Sequence, residues 1–209
     1  MSWMAVIPFK GCAERKTRLR NRLEKTERDY LSQHLFEHVA DILHRSPGLS
    51  DVALLSDVRP LGWIGRFILD HGRGINVELK AFVKDVRPSG LLVVNADLPF
   101  LSVEDIRTLI EIDEEAACSI APDRKMAGTN ALALITPLKF DFAFGPNSFA
   151  RHMAAARDRV RVITSVGFAL DIDTEEDLDT AIVLGFDRCR QNAGARQTTQ
   201  FEFEWNKSP

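Results

Sequence analysis

The amino-acid sequence predicts an α/β fold, with a mainly parallel central sheet and helices on both of its faces. Two observations support this prediction. Short apolar and β-branched runs recur along the chain, and amphipathic segments at helical spacing separate them. Apolar runs that are buried on both faces are typical of parallel strands, and their alternation with helices is typical of α/β proteins.

The first half of the chain begins with an apolar run at residues 4–8, which predicts a first buried strand. We expect a helix to begin at Thr26, because Thr26 and Asp29 have the spacing of a capping box and leucines recur at helical intervals beyond them. The other predicted elements of this half are strands over 51–57 and 91–97, a short helix running into a strand over 63–70, and a helix within 71–83.

In the second half, capping signals mark two helices. Ser102 stands three residues before Asp105, and Thr174 stands three before Asp177. The polar loop "DRKMAGTN" joins two apolar runs. The remaining predicted elements are strands over 116–122, 131–136 and 160–166, and a helix over 149–159.

Composition and charge set limits on the class of protein. The 209 residues are 45% hydrophobic with a net charge of −3, so we expect one globular domain over 1–186 and no nucleic-acid binding. The sequence contains no run of about 18 apolar residues, which a membrane-spanning helix would need. The three cysteines are scattered, as in reduced cytoplasmic proteins, so we expect a cytoplasmic location.

The polar tail over 187–209 differs from the domain in composition. Its segment "FEFEW" (201–205) alternates apolar and acidic residues, which fits either a frayed terminus or an added edge strand.

The loop after the first strand, "PFKGCAERKTRL", carries a cluster of cations. Lys10, Arg15, Lys16 and Arg18 lie within nine positions around Gly11. Cations and free backbone amides in a strand-to-helix loop suit the binding of a triphosphate. The spacing is not that of a Walker A loop, and a solvated basic loop would have the same composition.

Acidic residues follow two apolar runs. Asp97 ends the run in "VVNADLPFL", and Asp171 and Asp173 stand in "LDIDTEEDL". A carboxylate at the exit of a buried strand is costly unless something pairs with it, and carboxylates from two strand ends can share one Mg²⁺. We therefore predict a Mg²⁺ site at Asp97. Asp173 directly precedes a capped helix, and we expect only one of Asp171 and Asp173 to face the site. One member of the pair would then be functional and the other structural.

The segments "GTNALAL" and "FGPNSFARH" indicate an anion pocket. Thr129 and Asn130 precede a buried strand, and Gly145 to Ser148 lead into a helix that carries Arg151. A helix start offers unpaired N–H groups and the positive end of the dipole. An ordinary Asn or Ser helix cap would have the same sequence.

The turn "GRGIN" (72–76) is a candidate base contact. Gly74 permits close approach of the backbone, and the Asn76 amide can pair with a base edge. Many turns have a similar sequence.

The chain resembles the 2-phospho-L-lactate guanylyltransferase family of coenzyme F-420 biosynthesis in six segments, in the family's order. They are "IPFKGCAERKTRL", "GRGIN", "NADLPFL", "APDRKMAGTNALAL", "FAFGPNSFARHMAAA" and "ALDIDTEEDL". The resemblance implies a nucleotide-diphospho-sugar-transferase-like fold. It also implies transfer of GMP from GTP to the phosphate of a three-carbon acid, with release of pyrophosphate. The acid is 2-phospho-L-lactate, phosphoenolpyruvate or 3-phospho-D-glycerate in the relatives.

Motif matching assigns roles to individual residues. Asp97 with Asp171 or Asp173 would hold Mg²⁺, and Thr129, Gly145 and Ser148 would line the acceptor pocket. Lys10, Lys16 and Arg18 would hold the triphosphate, and Gly11, Gly74 and Asn76 would contact the nucleotide. Asn130 and Arg151 complete the predicted substrate contacts.

Other classes of function remain open at this point. A metal-dependent glycosyltransferase would use an Asp-x-Asp pair, which Asp171 and Asp173 could supply. Another small-molecule nucleotidyltransferase of the same fold, or a nucleotide-binding module without turnover, would share the basic loop. The oligomeric state is also open, and a homodimer is compatible with the sequence.

Overall fold

A computed structural model describes residues 2–11, 15–112 and 116–187 of the chain. The strands are β1 (Trp3–Pro8), β2 (Leu49–Ser56), β3 (Arg66–Leu69), β4 (Gly90–Val94), β5 (Cys118–Pro122), β6 (Thr129–Leu134) and β7 (Val160–Val162). The helices are α1 (Lys25–Arg45), α2 (Ile75–Val86), α3 (Val103–Ile110), α4 (Ser148–Ala156), α5 (Val166–Ala169) and α6 (Glu175–Val183). The predicted edge strand at 201–205 lies outside the described residues.

The seven strands form one sheet in the order β3-β2-β1-β4-β6-β5-β7. Four neighbouring pairs are parallel, which confirms the mainly parallel sheet. Strand β6 is the exception, because it runs antiparallel to both β4 and β5. The loop between β5 and β6 is too short for a parallel crossover, which needs a dozen or more residues, so the two strands pair as a hairpin.

Apolar side chains cover both faces of the sheet. One core cluster packs α1, α3 and α5 on one face, and a second packs α2 and α4 on the other. A third, smaller cluster joins Leu19 and Leu23 of the basic segment to Leu170 and Ile172 before α6. This third cluster brings the two ends of the described domain together.

Two predictions about local structure are wrong. Helix α1 begins at Lys25, because Glu24 and Glu27 form the capping box and Asp29 pairs instead with Lys25 at 2.5 Å. The segment over 63–70 forms no helix before β3, and the Trp63 indole instead donates to the Arg66 carbonyl. The capping boxes at Ser102 and Thr174 are confirmed.

Among the described residues, no helix is both long and apolar enough to cross a lipid bilayer.

Candidate active site

The candidate site lies at the carboxyl ends of β1 and β4. These strands are parallel neighbours, with Val6 opposite Val93. Lys10 and Asp97 follow them and therefore lie at the same edge of the sheet, where ligands collect in such folds. The amide of Gly11 donates to the Asp57 carboxylate after β2, so the basic loop is attached to this edge at its start.

Three carboxylates and one lysine form the centre of the site. Oxygen atoms of Asp97, Asp171 and Asp173 all lie within 4.8 Å of one another. The Lys16 ammonium lies 2.7 Å from Asp97 Oδ2 and 2.9 Å from Asp173 Oδ1. Its side chain is only 9% exposed. Residues that are far apart in the sequence thus converge on one point.

The expectation that only one of Asp171 and Asp173 faces the site is wrong, because the structure brings both carboxylates together with Asp97. Residues two apart in an extended segment point to the same side. Here Leu170 and Ile172 are buried in the third cluster, so the two aspartates both turn to the opposite side, toward Asp97. The structural role is taken by the backbone of Asp173, whose N–H donates to Asp177.

A chain of amide groups positions Asp171. Asn130 is buried and donates to Asp171 Oδ1 at 3.1 Å and to the Phe168 carbonyl at 2.8 Å. Asn95 in turn donates to Asn130 Oδ1. Burial and the nearby charge of Asp97 raise the pKa of Asp171 to about 6. The structure therefore gives Asn130 a role in holding an acidic residue, and its amide is already in use.

Lys16 is held in an unusual backbone conformation. Its φ and ψ of 51° and 39° lie in the left-handed region, which a non-glycine residue rarely adopts. Burial alone would lower the pKa of Lys16, but the carboxylates of Asp97 and Asp173 raise it above its usual value. The ammonium is therefore charged, and local backbone strain of this kind is common at functional sites.

The three aspartates fit a divalent cation. Asp97 Oδ1 is buried and has no hydrogen-bond partner among the described residues, which is costly for a carboxylate oxygen. Asp171 has no cationic partner among them either. A set of carboxylate oxygens with room for water and phosphate is what Mg²⁺ prefers.

Of the remaining cations of the basic loop, Lys10 and Arg18 are exposed and Arg15 is half-buried. Neither Lys10 nor Arg18 makes an ion pair with the described residues, so both are available to an anionic ligand. Arg15 instead donates to the Gly11 carbonyl and stacks over the Phe9 ring, with 4.7 Å to the ring centroid.

The turn at 72–76 has two different parts. Gly74 has a φ of 93°, and nothing lies within 4 Å of where a Cβ would be, so a ligand can approach the backbone there. The Asn76 amide, in contrast, already pairs with Phe144, donating to its carbonyl at 3.0 Å and accepting from its N–H at 2.8 Å. In this structure Asn76 connects α2 to the loop before α4.

The predicted anion pocket is only partly free. The Ser148 N–H donates to the Gly145 carbonyl and the Phe149 N–H to the Ala127 carbonyl, so two amides at the start of α4 are already used. The Arg151 guanidinium lies over the same loop, 3.5 Å from where a Cβ on Gly145 would be. The Thr129 hydroxyl contacts His152 at 2.9 Å.

Sequence reasoning assigned no role to two groups that organise the site. Asn95 stands inside the quoted "VVNADLPFL", and its position at a strand end beside Asp97 was an available signal. The ion pair between Arg124 and Asp177, at 2.7 Å, connects the loop before β6 to the start of α6. No local pattern predicts this pair, because 53 residues separate its members.

The family profile described as "Guanylyl transferase CofC like" matches residues 3–207. The chain belongs to this family. The match covers nearly the whole sequence and confirms the resemblance found in the motifs. The family members are nucleotidyltransferases, and this chain is accordingly a guanylyltransferase.

Individual relatives agree with the family assignment. The phosphoenolpyruvate guanylyltransferase of Sphaerobacter thermophilus is 37% identical over 190 residues, which cover 86% of this chain and 92% of the relative. The protein of the same name from Rubrobacter xylanophilus is 36% identical over 192 residues, covering 85% and 92%.

A solved structure confirms the fold. A Desulfovibrio desulfuricans protein assigned provisionally to the nucleotide-diphospho-sugar transferases superposes with a TM-score of 0.70 at 18% identity. The superposition covers 94% of this chain and 95% of that one.

Proposed function

We propose that the enzyme transfers GMP from GTP to the phosphate of phosphoenolpyruvate, with Mg²⁺, in the cytoplasm. The observation that carries this proposal is the convergence of Lys16 with Asp97, Asp171 and Asp173 at the edge of the sheet. The names of the relatives support phosphoenolpyruvate as the acceptor. The sequence resemblance supports a place in coenzyme F-420 biosynthesis, where 2-phospho-L-lactate and 3-phospho-D-glycerate are the alternative acceptors.

The chemistry requires no general base. An oxygen of the acceptor phosphate, ionised at neutral pH, attacks the α-phosphorus of GTP. The bond between the α-phosphorus and the bridging oxygen breaks, and pyrophosphate leaves. The main difficulty is to bring two anions together, so catalysis depends on positioning and charge neutralisation.

The residues divide these tasks. Asp97, Asp171 and Asp173 would hold Mg²⁺, which offsets charge on the phosphate oxygens when it is bound. Lys10, Lys16 and Arg18 would bind the triphosphate and the departing pyrophosphate. The backbone at Gly74 leaves room for the nucleotide. Gly11 is buried and its N–H donates to Asp57, so we assign Gly11 to holding the basic loop beside the nucleotide. The acceptor would lie against Thr129, Gly145, Ser148 and Arg151.

The amide of Asn76 is already paired with Phe144. We assign Asn76 to the nucleotide pocket as a residue that holds the wall of the pocket. Asn130 likewise acts through Asp171.

The test is to incubate the protein with GTP, Mg²⁺ and each phospho-acid separately, and to identify the products by mass. Pyrophosphate and a GMP adduct of phosphoenolpyruvate are expected. An adduct of a different acid would change the acceptor, and no pyrophosphate with any of the acids would overturn the proposal. Sugar transfer from a UDP-sugar would favour the glycosyltransferase.

Replacing Asp97 with asparagine tests the site itself. We expect a loss of more than about 100-fold in activity, since changes even to groups that support metal ligands cost about 10- to 100-fold. Asp85→Asn is the matched control, because Asp85 is exposed at the end of α2 that leads into the start of β4, whereas the site lies beyond the end of β4. Full activity of the Asp97 variant would contradict the assignment.

A further inference from the structure

His152 is a buried histidine to which the proposed chemistry assigns no role. It lies on α4 with no exposed surface. Its Nδ1 is 2.9 Å from Thr129 Oγ1, and the N–H of Ala143 donates to its Nε2 at 3.0 Å. Phe144 packs edge-on against the ring, with 4.7 Å between ring centroids. Both ring nitrogens of His152 are therefore in hydrogen-bond contact.

The contact with Ala143 determines which ring nitrogen carries the proton. A backbone N–H can only donate, so Nε2 must accept and therefore carries a lone pair. The neutral ring then carries its proton on Nδ1 and donates it to Thr129 Oγ1. Burial, followed by the charge of Arg151, lowers the pKa of His152 to about 4, so the ring is neutral at pH 7.

The orientation of the Thr129 hydroxyl follows from this. A hydroxyl has one proton to donate and two lone pairs. The N–H of His152 occupies one lone pair, so the hydroxyl proton is not used in that contact. Among the described residues this hydroxyl contacts His152, so its proton is not used by that part of the chain, and Thr129 is 3% exposed.

We propose that His152 is a positioning residue, which keeps the proton of the Thr129 hydroxyl available for an oxygen of the acceptor acid. The inference rests on the proposed function, which places the acceptor against Thr129. The neighbouring residue on β6, Asn130, points to the opposite face of the sheet, where it binds Asp171. One strand end would therefore orient a group for the acceptor and a group for the metal.

A pair of variants separates the two contacts of His152. The amide nitrogen of asparagine can occupy the position of Nδ1, so His152→Asn can keep the donor to Thr129 and loses the acceptor for Ala143. The amide oxygen of glutamine can occupy the position of Nε2, so His152→Gln keeps the Ala143 contact and loses the donor.

We expect His152→Gln to lower kcat/KM for the phospho-acid by about 10- to 100-fold, the cost of one hydrogen bond to a charged group. Its KM for GTP should be unchanged. His152→Asn should keep a KM for the acid near that of the wild type. Thermal unfolding of both variants is measured in parallel, because a purely structural role would make the loss of activity follow the loss of stability.

Variants of Thr129 test whether the effect of His152→Gln depends on the Thr129 hydroxyl. In Thr129→Val, which lacks the hydroxyl, adding His152→Gln should cause no further loss; in Thr129→Ser, which keeps it, the full loss should reappear. Equal losses in both backgrounds would overturn the inference.

NMR provides a readout that does not depend on activity. Spectra of the ¹⁵N-labelled ring should show the proton of His152 on Nδ1 and none on Nε2. A proton on Nε2, or equal KM values for the acid in both His152 variants, overturns the inference and leaves the proposed function intact. Absence of pyrophosphate release by the wild type with every phospho-acid overturns the proposed function, and the inference with it.

Discussion

Replacing Lys16 with methionine is expected to tighten the binding of a divalent metal ion to the nucleotide-free protein. The Lys16 ammonium lies among the carboxylates that we assign to the metal, 2.7 Å from Asp97 and 2.9 Å from Asp173. A metal ion that enters this group has to displace the ammonium. Methionine is a long apolar side chain without a charge, so in the variant the carboxylates are free to bind the ion.

The size of the effect follows from the contact that the metal must replace. A hydrogen bond between charged groups contributes about 1.5–3 kcal/mol, which corresponds to roughly 10- to 100-fold in Kd. The Asp173 side chain is 46% exposed, so solvent screens its pair with Lys16, and we count only the contact with Asp97. We therefore expect the Kd for the metal to fall by about tenfold or more.

Titration with Mn²⁺, followed by the electron paramagnetic resonance of the free ion, measures this Kd in the absence of GTP. Mn²⁺ accepts the same oxygen ligands as Mg²⁺. Lys84→Met is the matched control, because it removes the same charge from an exposed position on α2. If Lys16→Met bound Mn²⁺ no more tightly than Lys84→Met, the idea that Lys16 and the metal compete for one position would be refuted.

The remaining predictions concern stability and metal binding. The carboxylate of Glu78 is buried and bound by Arg73, which lowers its pKa from 4.5 to about 2. Its folded-state pKa lies below the unfolded value, so its contribution to stability is present above about pH 4.5 and is lost as the pH falls toward 2. The difference in Tm between wild type and Glu78→Gln should therefore be full at neutral pH and shrink below pH 4.5; a constant difference would contradict this. Ser102→Ala and Thr174→Ala should each lower the free energy of unfolding by about 1 kcal/mol, measured by denaturant titration. Only the Thr174 variant should also weaken Mn²⁺ binding, because Thr174 directly follows Asp173, and equal binding by the two variants would disagree with that expectation.

Local patterns predicted most of the secondary structure correctly. Apolar runs locate the strands, and the Ser102 and Thr174 capping boxes locate two helices, because both signals depend on residues within a few positions of one another. The start of α1 was missed because the pairs Thr26/Asp29 and Glu24/Glu27 overlap and have the same spacing. The antiparallel direction of β6 could have been predicted, because the loop over 123–128 is too short for a parallel crossover.

The candidate site could be predicted from the sequence only in part. Residue type and motif order were enough to indicate cations for a triphosphate and aspartates for a metal. The hydrogen-bond partner of each group could not be predicted from the sequence. The Asn76 amide pairs with Phe144, Asn130 binds Asp171, and His152 binds Thr129. Each of these contacts depends on how two separate segments pack.

The sequence by itself determined the α/β class, the family and the chemical types of the site residues, because these follow from local periodicity and from short motifs in order. Only the tertiary structure decided that Lys16 meets Asp97 across 81 positions and Asp173 across 157, and that both Asp171 and Asp173 turn toward the site. The physical reason is that these contacts depend on strand order in the sheet and on the burial of Leu170 and Ile172 against Leu19. Both arise when the whole chain packs.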